Sequence, residues 1–356
     1  MHTQLLTTKE GESYPIVTGS GLLQSIGSVL AERIAPCRVM LVTDDHVAPL
    51  YADLAARSLE NAGFTVSRFV TQAGEESKSV QVFGALLEAM CEAHLTRTDL
   101  ALALGGGVIG DLTGFAAGCY LRGIRFVQCP TTLLAAVDAS VGGKTAVNLE
   151  HGKNLAGLFR QPIGVYCDTD TLKTLSKTEL RNGASEAIKT GILGDPVLFD
   201  IFENGQFETD LEEVIVRSVA YKAKIVTEDP TENGVRKLLN LGHTPAHAIE
   251  LLSSFKIPHG YAVSIGTAIM TRAAHRRGFI NSDDSARILN TILRTGLDTV
   301  CPFTAREMAD IALLDKKAAG SSITVILPEA IGRCRMEKIP LNGLEALFAD
   351  GLEEIT

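Results

Sequence analysis

The chain has 356 residues, 46% of them hydrophobic, and a formal net charge of -9, which allows two domains with substantial cores and argues against a nucleic-acid partner. No uncharged apolar run reaches the roughly 18 residues that a membrane span needs, and the N-terminal segment lacks the basic and apolar regions of an export signal, so neither is expected. Seven scattered cysteines favour reduced core thiols over disulfides, so we expect a cytoplasmic protein.

Short apolar runs alternate with amphipathic segments through the first half of the chain, as in βαβ units. The pattern predicts strands over 38–43, 65–69 and 100–104, and helices over 48–62 and 80–93. The run 100–104 has few polar positions, as expected for a parallel strand covered on both faces. We therefore predict a Rossmann-like α/β domain.

A glycine-rich turn, GGGVIGD at 105–111, follows the run 100–104 directly. Such a turn between a buried strand and a helix exposes backbone N–H groups at a positive helix terminus, which suits a pyrophosphate. The spacing differs from the usual Gly-x-Gly-x-x-Gly fingerprint, and the glycines could merely form a tight structural turn. We interpret the segment as a phosphate or dinucleotide site, with the structural turn as the alternative.

Long amphipathic segments replace the alternating strands in the second half and indicate a mainly helical domain. Helices are predicted over 176–193, 211–228, 245–254 and 262–277, and a strand over 322–327. The boundary is expected just after the turn at Asp168–Asp170, giving domains 1–172 and 173–356. Residues of both halves are expected to meet in a cleft.

Three of the eight histidines, His243, His247 and His259, fall within one short stretch. His243 and His247 are four residues apart, and Pro245 is typical of the first helical position, so both rings are expected near one face, with His259 returning from the next loop. Three ligands with a vacant position would make a catalytic zinc-type site. The alternative is a set of buried or surface histidines satisfied by hydrogen bonds.

Several ordered segments resemble the 3-dehydroquinate synthase family of the sugar-phosphate cyclase superfamily. They are GGGVIGD at 105–111, YLRGIRF at 120–126, PTTLL at 130–134, VDASVGGKT at 137–145, GKN at 152–154, SEAIK at 185–189, LNLGH at 239–243 and DKK at 315–317. The resemblance implies an NAD-binding α/β domain, a helical metal-binding domain and a homodimer. It also implies conversion of 3-deoxy-D-arabino-heptulosonate 7-phosphate into 3-dehydroquinate and phosphate in the shikimate pathway.

The resemblance also implies roles for individual residues. Glu186, His243 and His259 would hold one divalent metal, zinc or cobalt, and His247 would transfer protons, although on geometric grounds it could equally be a fourth ligand. The implied catalytic residues are His247, Lys189, Asp138, Lys144 and Arg236. The implied substrate-binding residues are Asn154, Lys222, Asn240 and Lys316, together with Arg122 from the neighbouring subunit.

The implied NAD site draws on loops throughout the first half. Its residues are Asp44, Gly74, Glu75, Lys78, Gly106, Gly107, Asp111, Thr131, Thr132, Lys144, Lys153 and Thr171. In the implied reaction NAD oxidises a ring carbinol, phosphate leaves by β-elimination, NADH returns the hydride, and the opened ring closes again by an aldol step. NAD is not consumed, so the enzyme would be a lyase.

Two departures from the family pattern concern substrate choice and rate. Tyr261 stands where a glutamate usually follows the His-Gly pair, and Pro245-Ala246 replaces the commoner residues between the two histidines. The alternatives within the superfamily are 2-deoxy-scyllo-inosose and epi-valiolone synthases, against which Arg236, Asn240 and Lys316 argue. From other classes, a metal-dependent polyol dehydrogenase or a non-catalytic family member is the alternative.

Overall fold

A computed structural model describes residues 1–8, 11–316 and 321–352, without the side chains of 314–316. The chain divides into two compact units, the first made of Met1–Ser176 with Lys222–Pro230 and the second of Lys177–Tyr221 with Thr231–Thr356. The predicted boundary at 172/173 lies close to this change of unit. None of the helices in the described ranges combines the length and apolar character that crossing a bilayer requires.

The first unit is built on a seven-stranded sheet. Its strands are β1 (His2–Thr7), β2 (Ser13–Gly19), β3 (Arg38–Asp44), β4 (Thr65–Thr71), β5 (Leu100–Gly105), β6 (Arg125–Pro130) and β9 (Val165–Asp168). The strands β7 (Lys144–Leu149) and β8 (Gly152–Phe159) form a separate hairpin. The spatial order is β1-β2-β9-β6-β5-β3-β4. Only β1 and β2 pair antiparallel within it; the other pairs are parallel.

Four helices cover this sheet. They are α1 (Leu22–Ala31), α2 (Asp53–Asn61), α3 (Val80–Glu92) and α4 (Gly107–Cys119), with a π turn at Ala48–Ala52 leading into α2 and short helical turns at 75–77, 120–122, 135–139 and 169–174. The strands predicted over 38–43, 65–69 and 100–104 and the helices over 48–62 and 80–93 are thus confirmed to within two residues. The remaining strands of the sheet were not predicted individually.

Alternate side chains of β3 and β5 enter two different cores. Leu41 and Leu102 pack in a cluster with α1 and α2, whereas Val42 and Ala103 pack in another with α3 and α4. The strand β5 is therefore buried on both faces, as its unbroken apolar run predicts. This confirms the predicted Rossmann-like α/β architecture.

The strand order places a switch point between β3 and β5. From β3 the chain crosses to β4 on one side, and β5 then pairs with the other side of β3. In open parallel sheets, ligands bind outside the carboxyl ends of the strands at such a point. Asp44 is the last residue of β3 and Gly105 the last of β5, so the predicted dinucleotide site lies at this edge.

The second unit is mainly helical, as predicted. Its helices are α5 (Lys177–Gly194), α6 (Pro196–Glu203), α7 (Leu211–Glu228, whose residues from Lys222 belong to the first unit), α8 (His243–Leu252), α9 (His259–Arg276), α10 (Ser282–Arg294), α11 (Ala305–Lys316) and α12 (Leu344–Leu352). Short helical turns lie at 235–240 and 341–343. The helices α5 and α9 contain long runs of buried residues and form the centre of this unit.

Three predicted boundaries in this unit were wrong. The helix α8 begins at His243 rather than at Pro245, and α9 begins at His259 rather than at Ala262. His259 is therefore the first residue of a helix and does not lie in a loop. The strand predicted over 322–327 is longer, as β10 (Ser322–Ala330), and it pairs antiparallel with the unpredicted β11 (Arg333–Pro340).

Candidate metal and cofactor sites

Glycines allow α5, α8 and α9 of the second unit to approach at backbone distance. A Cβ at Gly260 would lie 1.9 Å from the carbonyl oxygen of Asn182, and one at Gly266 would lie 2.1 Å from the carbonyl oxygen of Gly242. The backbone N–H of Gly260 also donates to Oδ1 of Asn182 at 2.6 Å. This packing fixes the start of α9, and with it His259, against α5.

Glu186 of α5, His243 of α8 and His259 of α9 converge at one point. Each offers a ligand atom, and these atoms lie within 4.8 Å of one another. Nε2 of His259 is 3.2 Å from Oε1 of Glu186, and Nε2 of His243 is 3.6 Å from the same oxygen. One carboxylate and two imidazoles are ligands that zinc and related divalent metals prefer.

The outer atoms of all three groups also have partners. Nδ1 of His243 lies 3.1 Å from the carbonyl oxygen of Leu241, and Nδ1 of His259 lies 3.4 Å from Oε2 of Glu250. Acceptors at Nδ1 favour the tautomer in which Nε2 carries the lone pair. The ammonium of Lys189 forms an ion pair with Oε2 of Glu186.

The pKa shifts of the three ligand groups differ in direction and cause. Burial alone would raise the pKa of Glu186, but Lys189 and the two imidazoles hold it well below its usual range. Burial and the ammonium of Lys189 lower the pKa of His243 to about 3. Burial would also lower the pKa of His259, but hydrogen bonds to Glu186 and Glu250 raise it to about 10. A metal at this point would therefore displace a proton from His259 at neutral pH.

His247 lies one helical turn beyond His243 but outside the three-residue group. Its ring centroid is 5.6 Å from that of His243, and its side chain is exposed. Pro245 and Ala246, the departures between the two histidines, are buried. Pro245 lies in the first turn of α8, where backbone N–H groups have no partner within the helix, so the N–H that proline lacks costs no helical hydrogen bond. Tyr261 is half-buried in the first turn of α9.

A chain of polar contacts in the first unit joins several of the residues expected to bind NAD or substrate. Nζ of Lys78 lies 2.5 Å from Oδ2 of Asp111 and 2.5 Å from Oδ1 of Asn154. The backbone N–H of Asn154 donates to Oδ1 of Asn148 at 2.9 Å, and Nδ2 of Asn148 donates to Oε1 of Glu75 at 2.7 Å. Burial raises the pKa of Asp111 although Lys78 opposes the shift.

The glycine-rich turn at 105–111 combines close side-chain packing with backbone N–H groups at the start of a helix. A Cβ at Gly105 would lie 2.7 Å from the Cβ of Ile109, so close packing favours glycine at that position, and one at Gly110 would lie 2.6 Å from the amide end of Gln128. Gly106 is the N-cap of α4 and Gly107 its first residue. Their N–H groups lie at the positive end of a 13-residue helix, which suits an anion.

Other residues expected to bind NAD are engaged locally or differ in exposure. Oδ1 of Asp44 accepts the backbone N–H groups of His46 and Val47, and the hydroxyl of Thr171 donates to the carbonyl of Asp168. Gly74 lies in the loop after β4 with a φ of 112°. After β6, Thr131 is buried and Thr132 is half-buried. On the hairpin of β7 and β8, Lys144 is exposed and Lys153 is half-buried.

The residues expected to bind substrate are distributed over both units. In the first, Nζ of Lys222 donates to the carbonyl oxygen and Oδ1 of Asp138 at 2.6 and 2.8 Å, while Arg122 is exposed with a φ of 66°. In the second, Arg236 is 1% exposed and Nδ2 of Asn240 donates to Glu232 at 2.7 Å. The side chain of Lys316 lies outside the described residues.

Comparison with known proteins decides the family. Sequence models described as "3-dehydroquinate synthase N-terminal" and "3-dehydroquinate synthase C-terminal" match residues 68–182 and 183–318. A 3-dehydroquinate synthase of Streptococcus thermophilus (strain CNRZ 1066) is 42% identical over 336 residues, covering 92% of this chain and 94% of that protein. The chain belongs to the 3-dehydroquinate synthase family.

Solved structures extend the likeness to other cyclases. A 2-epi-5-epi-valiolone synthase from Streptomyces hygroscopicus subsp. jinggangensis 5008, with NAD+ and Zn2+ bound, is 28% identical with a TM-score of 0.87, covering 97% of this chain and 98% of that one. A 2-deoxy-scyllo-inosose synthase, complexed with carbaglucose-6-phosphate, NAD+ and Co2+, is 23% identical with a TM-score of 0.88, covering 99% and 100%. At that identity it shows the fold alone.

Four polar residues that contact the predicted sites of this 3-dehydroquinate synthase family member were missed by the sequence analysis. They are Asn148, Asn182, Glu232 and Glu250. Only Glu250 had a local signal, because it lies three and seven residues from two histidines of the same helix and so shares their face. The other three contact residues that are remote in sequence or that lie across an irregular loop.

Proposed function

We propose that this chain acts in the cytoplasm as a 3-dehydroquinate synthase, converting 3-deoxy-D-arabino-heptulosonate 7-phosphate into 3-dehydroquinate and phosphate with NAD and a divalent metal. Family membership over most of the chain supports the reaction. The observation that carries the proposal is the convergence of Glu186, His243 and His259 from three helices. All seven cysteines are unpaired thiols, which fits a reducing compartment.

The donor set fits a catalytic metal of the zinc or cobalt kind. Glu186, His243 and His259 would hold it, and three protein ligands leave a position for a substrate hydroxyl. A metal held there would supply polarisation of that hydroxyl and so lower the pKa of its proton. Lys189 keeps Glu186 ionised, and the carbonyl oxygen of Leu241 lies beside Nδ1 of His243.

The NAD site is proposed at the carboxyl ends of β3 to β6. Backbone N–H groups at Gly106 and Gly107 would receive the pyrophosphate, and Lys78, held by Asp111 and Asn154, would add a cation beside it. NAD supplies reversible hydride acceptance, so that oxidation and re-reduction occur on one cofactor. The other cofactor residues proposed are Asp44, Gly74, Glu75, Thr131, Thr132, Lys144, Lys153 and Thr171.

The substrate carries a carboxylate and a phosphate and therefore requires cations and amides. We propose the first-unit residues Lys144, Asn154 and Lys222 and the second-unit residues Lys189, Arg236, Asn240 and Lys316 for this task. Asp138, which accepts two hydrogen bonds from Lys222, would orient that ammonium. His247, exposed next to His243, would relay protons.

We also propose a homodimer in which Arg122 serves the partner's phosphate pocket. Arg122 is exposed, and the apolar side chains of Leu121, Leu155 and Phe159 in the same unit are 41%, 58% and 50% exposed. Exposed apolar side chains that lie together in a patch are common at protein interfaces. Sedimentation should show a dimer for the wild type and a monomer for F159D, and a wild-type monomer would refute this part.

The activity test uses metal-loaded protein, catalytic NAD and 3-deoxy-D-arabino-heptulosonate 7-phosphate, following phosphate, NADH absorbance and the organic product together. We expect phosphate and 3-dehydroquinate to appear in equal amounts without NADH accumulation. Accumulating NADH would instead indicate a polyol dehydrogenase. Turnover of a different sugar phosphate alone would indicate another cyclase, which the 28% identity to a valiolone synthase makes the next substrate class to try.

A further inference from the structure

We propose that Glu250 is a positioning residue of the metal site, holding His259 in the Nδ1–H form so that Nε2 presents its lone pair to the metal. This inference rests on the proposed function, because it presupposes a metal between Glu186, His243 and His259. Glu250 does not belong to the three-residue ligand group.

The imidazole of His259 lies between two carboxylates. Its Nε2 is 3.2 Å from Oε1 of Glu186, and its Nδ1 is 3.4 Å from Oε2 of Glu250. A metal bound to Glu186 would coordinate the first nitrogen and leave the second to donate to Glu250. This carboxylate–histidine–metal order is the arrangement in which an outer carboxylate fixes the tautomer and ring orientation of a ligand.

The location of Glu250 indicates a specific role rather than a surface charge. Its side chain is 6% exposed, and a buried carboxylate is costly unless hydrogen bonds or counter-charges stabilise it. Glu250 also follows His243 and His247 at i+7 and i+3 on α8, so one helix face carries a ligand, the exposed histidine and the outer carboxylate. The helix α8 therefore contributes both a metal ligand, His243, and the carboxylate that contacts a second ligand, His259.

The two histidine ligands are supported unequally. A neutral backbone carbonyl, that of Leu241, lies beside Nδ1 of His243, whereas a carboxylate lies beside Nδ1 of His259. A carboxylate acceptor makes the imidazole a stronger donor to the metal than a carbonyl does. We therefore expect His259, although it is the more exposed ring, to depend on its outer partner for much of its affinity.

The test compares zinc binding by full-length protein variants, using competition with a chromophoric chelator. Wild type is expected to bind one zinc ion. E250Q keeps the volume but loses the charge, and E250L loses the acceptor, so we expect zinc dissociation constants higher by roughly 10-fold and up to about 100-fold. The matched control is E203Q, which removes a carboxylate that is paired with Arg287 in the same unit and should leave zinc affinity unchanged.

A second readout separates positioning from general loosening of the fold. In zinc-loaded protein labelled with nitrogen-15 in its histidines, wild type and E203Q should show the Nδ1–H signal of His259, and E250L should shift or lose it while metal-free thermal stability stays similar. Zinc affinities of E250Q and E250L within about twofold of wild type would overturn the role of Glu250 while leaving the metal site intact. If H243A binds zinc as tightly as wild type, the assignment of the metal ligands is wrong, and the proposed role of Glu250 is refuted together with it.

Discussion

Nε2 of His259 and Oε1 of Glu186 lie 3.2 Å apart although 73 residues separate them along the chain. This contact joins the first turn of α9 to the middle of α5, where both backbones are held by Gly260 and Asn182. The donor atoms of Glu186, His243 and His259 thus meet at one point, and a metal bound there would displace the proton that His259 holds at neutral pH.

Zinc should stabilise the folded protein through this cluster. A ligand that binds only the folded state stabilises it by about 2.7 kcal/mol at 100 times its dissociation constant. We expect zinc to raise the thermal midpoint of chelator-treated wild type and to leave that of H243A unchanged, as measured by differential scanning calorimetry. H275A is the matched control, because His275 belongs to α9 but contacts Ser282 instead. Equal zinc responses in H243A and wild type would contradict the ligand assignment.

The substitution G260A should disturb both stability and metal binding. The new Cβ would lie 1.9 Å from the carbonyl oxygen of Asn182, so α9 must shift away from α5 at a cost of about 1–3 kcal/mol. The shift moves His259, so zinc affinity should fall as well. Urea unfolding and chelator competition measure the two effects.

The control for that substitution is G84A in α3. No atom outside the local backbone lies within 4 Å of a Cβ built there, and replacing a helical glycine by alanine is expected to stabilise by about 0.5–1 kcal/mol. A G260A protein as stable as wild type would show that α5 and α9 are not held at this crossing.

Local patterns predicted the first unit well because its signals are local. The apolar run of β5 and the glycines after it are contiguous, and the structure places Gly106 and Gly107 at the start of α4 as that pattern indicates. Parallel topology brings to one edge of the sheet the residues at the strand ends, such as Asp44 of β3, and those in the loops that follow, such as Lys78. What the pattern missed there, Asn148, lies on a hairpin whose register depends on its partner strand.

The second unit was predicted less completely, for a physical reason. His259 was expected in a loop, yet Pro258 serves as the N-cap of α9 and Gly260 allows close packing on Asn182. Central helices that are buried all round lose the 3.6-residue periodicity by which helices are recognised. The contact between Glu250 and His259 depends on the packing of two helices, which no local pattern encodes.

Lys78 should be required for NAD affinity. Its buried ammonium lies 2.5 Å from both Asp111 and Asn154, so K78Q removes a cation from the proposed pyrophosphate site. We expect the dissociation constant of NAD to rise roughly tenfold, equivalent to about 1.4 kcal/mol, as measured by isothermal titration calorimetry. R68Q, which breaks an exposed ion pair with Asp53 in the same unit, should bind NAD normally.

Stability and binding can be separated in that experiment. K78Q leaves the carboxylate of Asp111 without its counter-charge, which should cost about 3 kcal/mol of unfolding free energy. The double variant K78Q/D111N should recover most of that loss without recovering NAD affinity. Wild-type NAD affinity in either variant would remove Lys78 from the proposed site.

The ion pair between Glu203 and Arg287 should give a defined pH dependence of stability. The carboxylate accepts two hydrogen bonds from the guanidinium, at 2.8 and 2.7 Å, and this pairing holds the pKa of Glu203 below its usual value of 4.5. A carboxyl group whose pKa is lower in the folded state stabilises above its unfolded pKa and loses that effect as pH falls through the folded pKa. We therefore expect wild type to exceed E203Q by about 0.5–1 kcal/mol at pH 7 and the difference to shrink below about pH 4.5 in urea unfolding series. R287Q should lose at least as much stability at pH 7, because Arg287 also lies 3.4 Å from Oδ1 of Asp284. If the wild-type advantage over E203Q persists undiminished in acid, the stabilisation does not come from this pair.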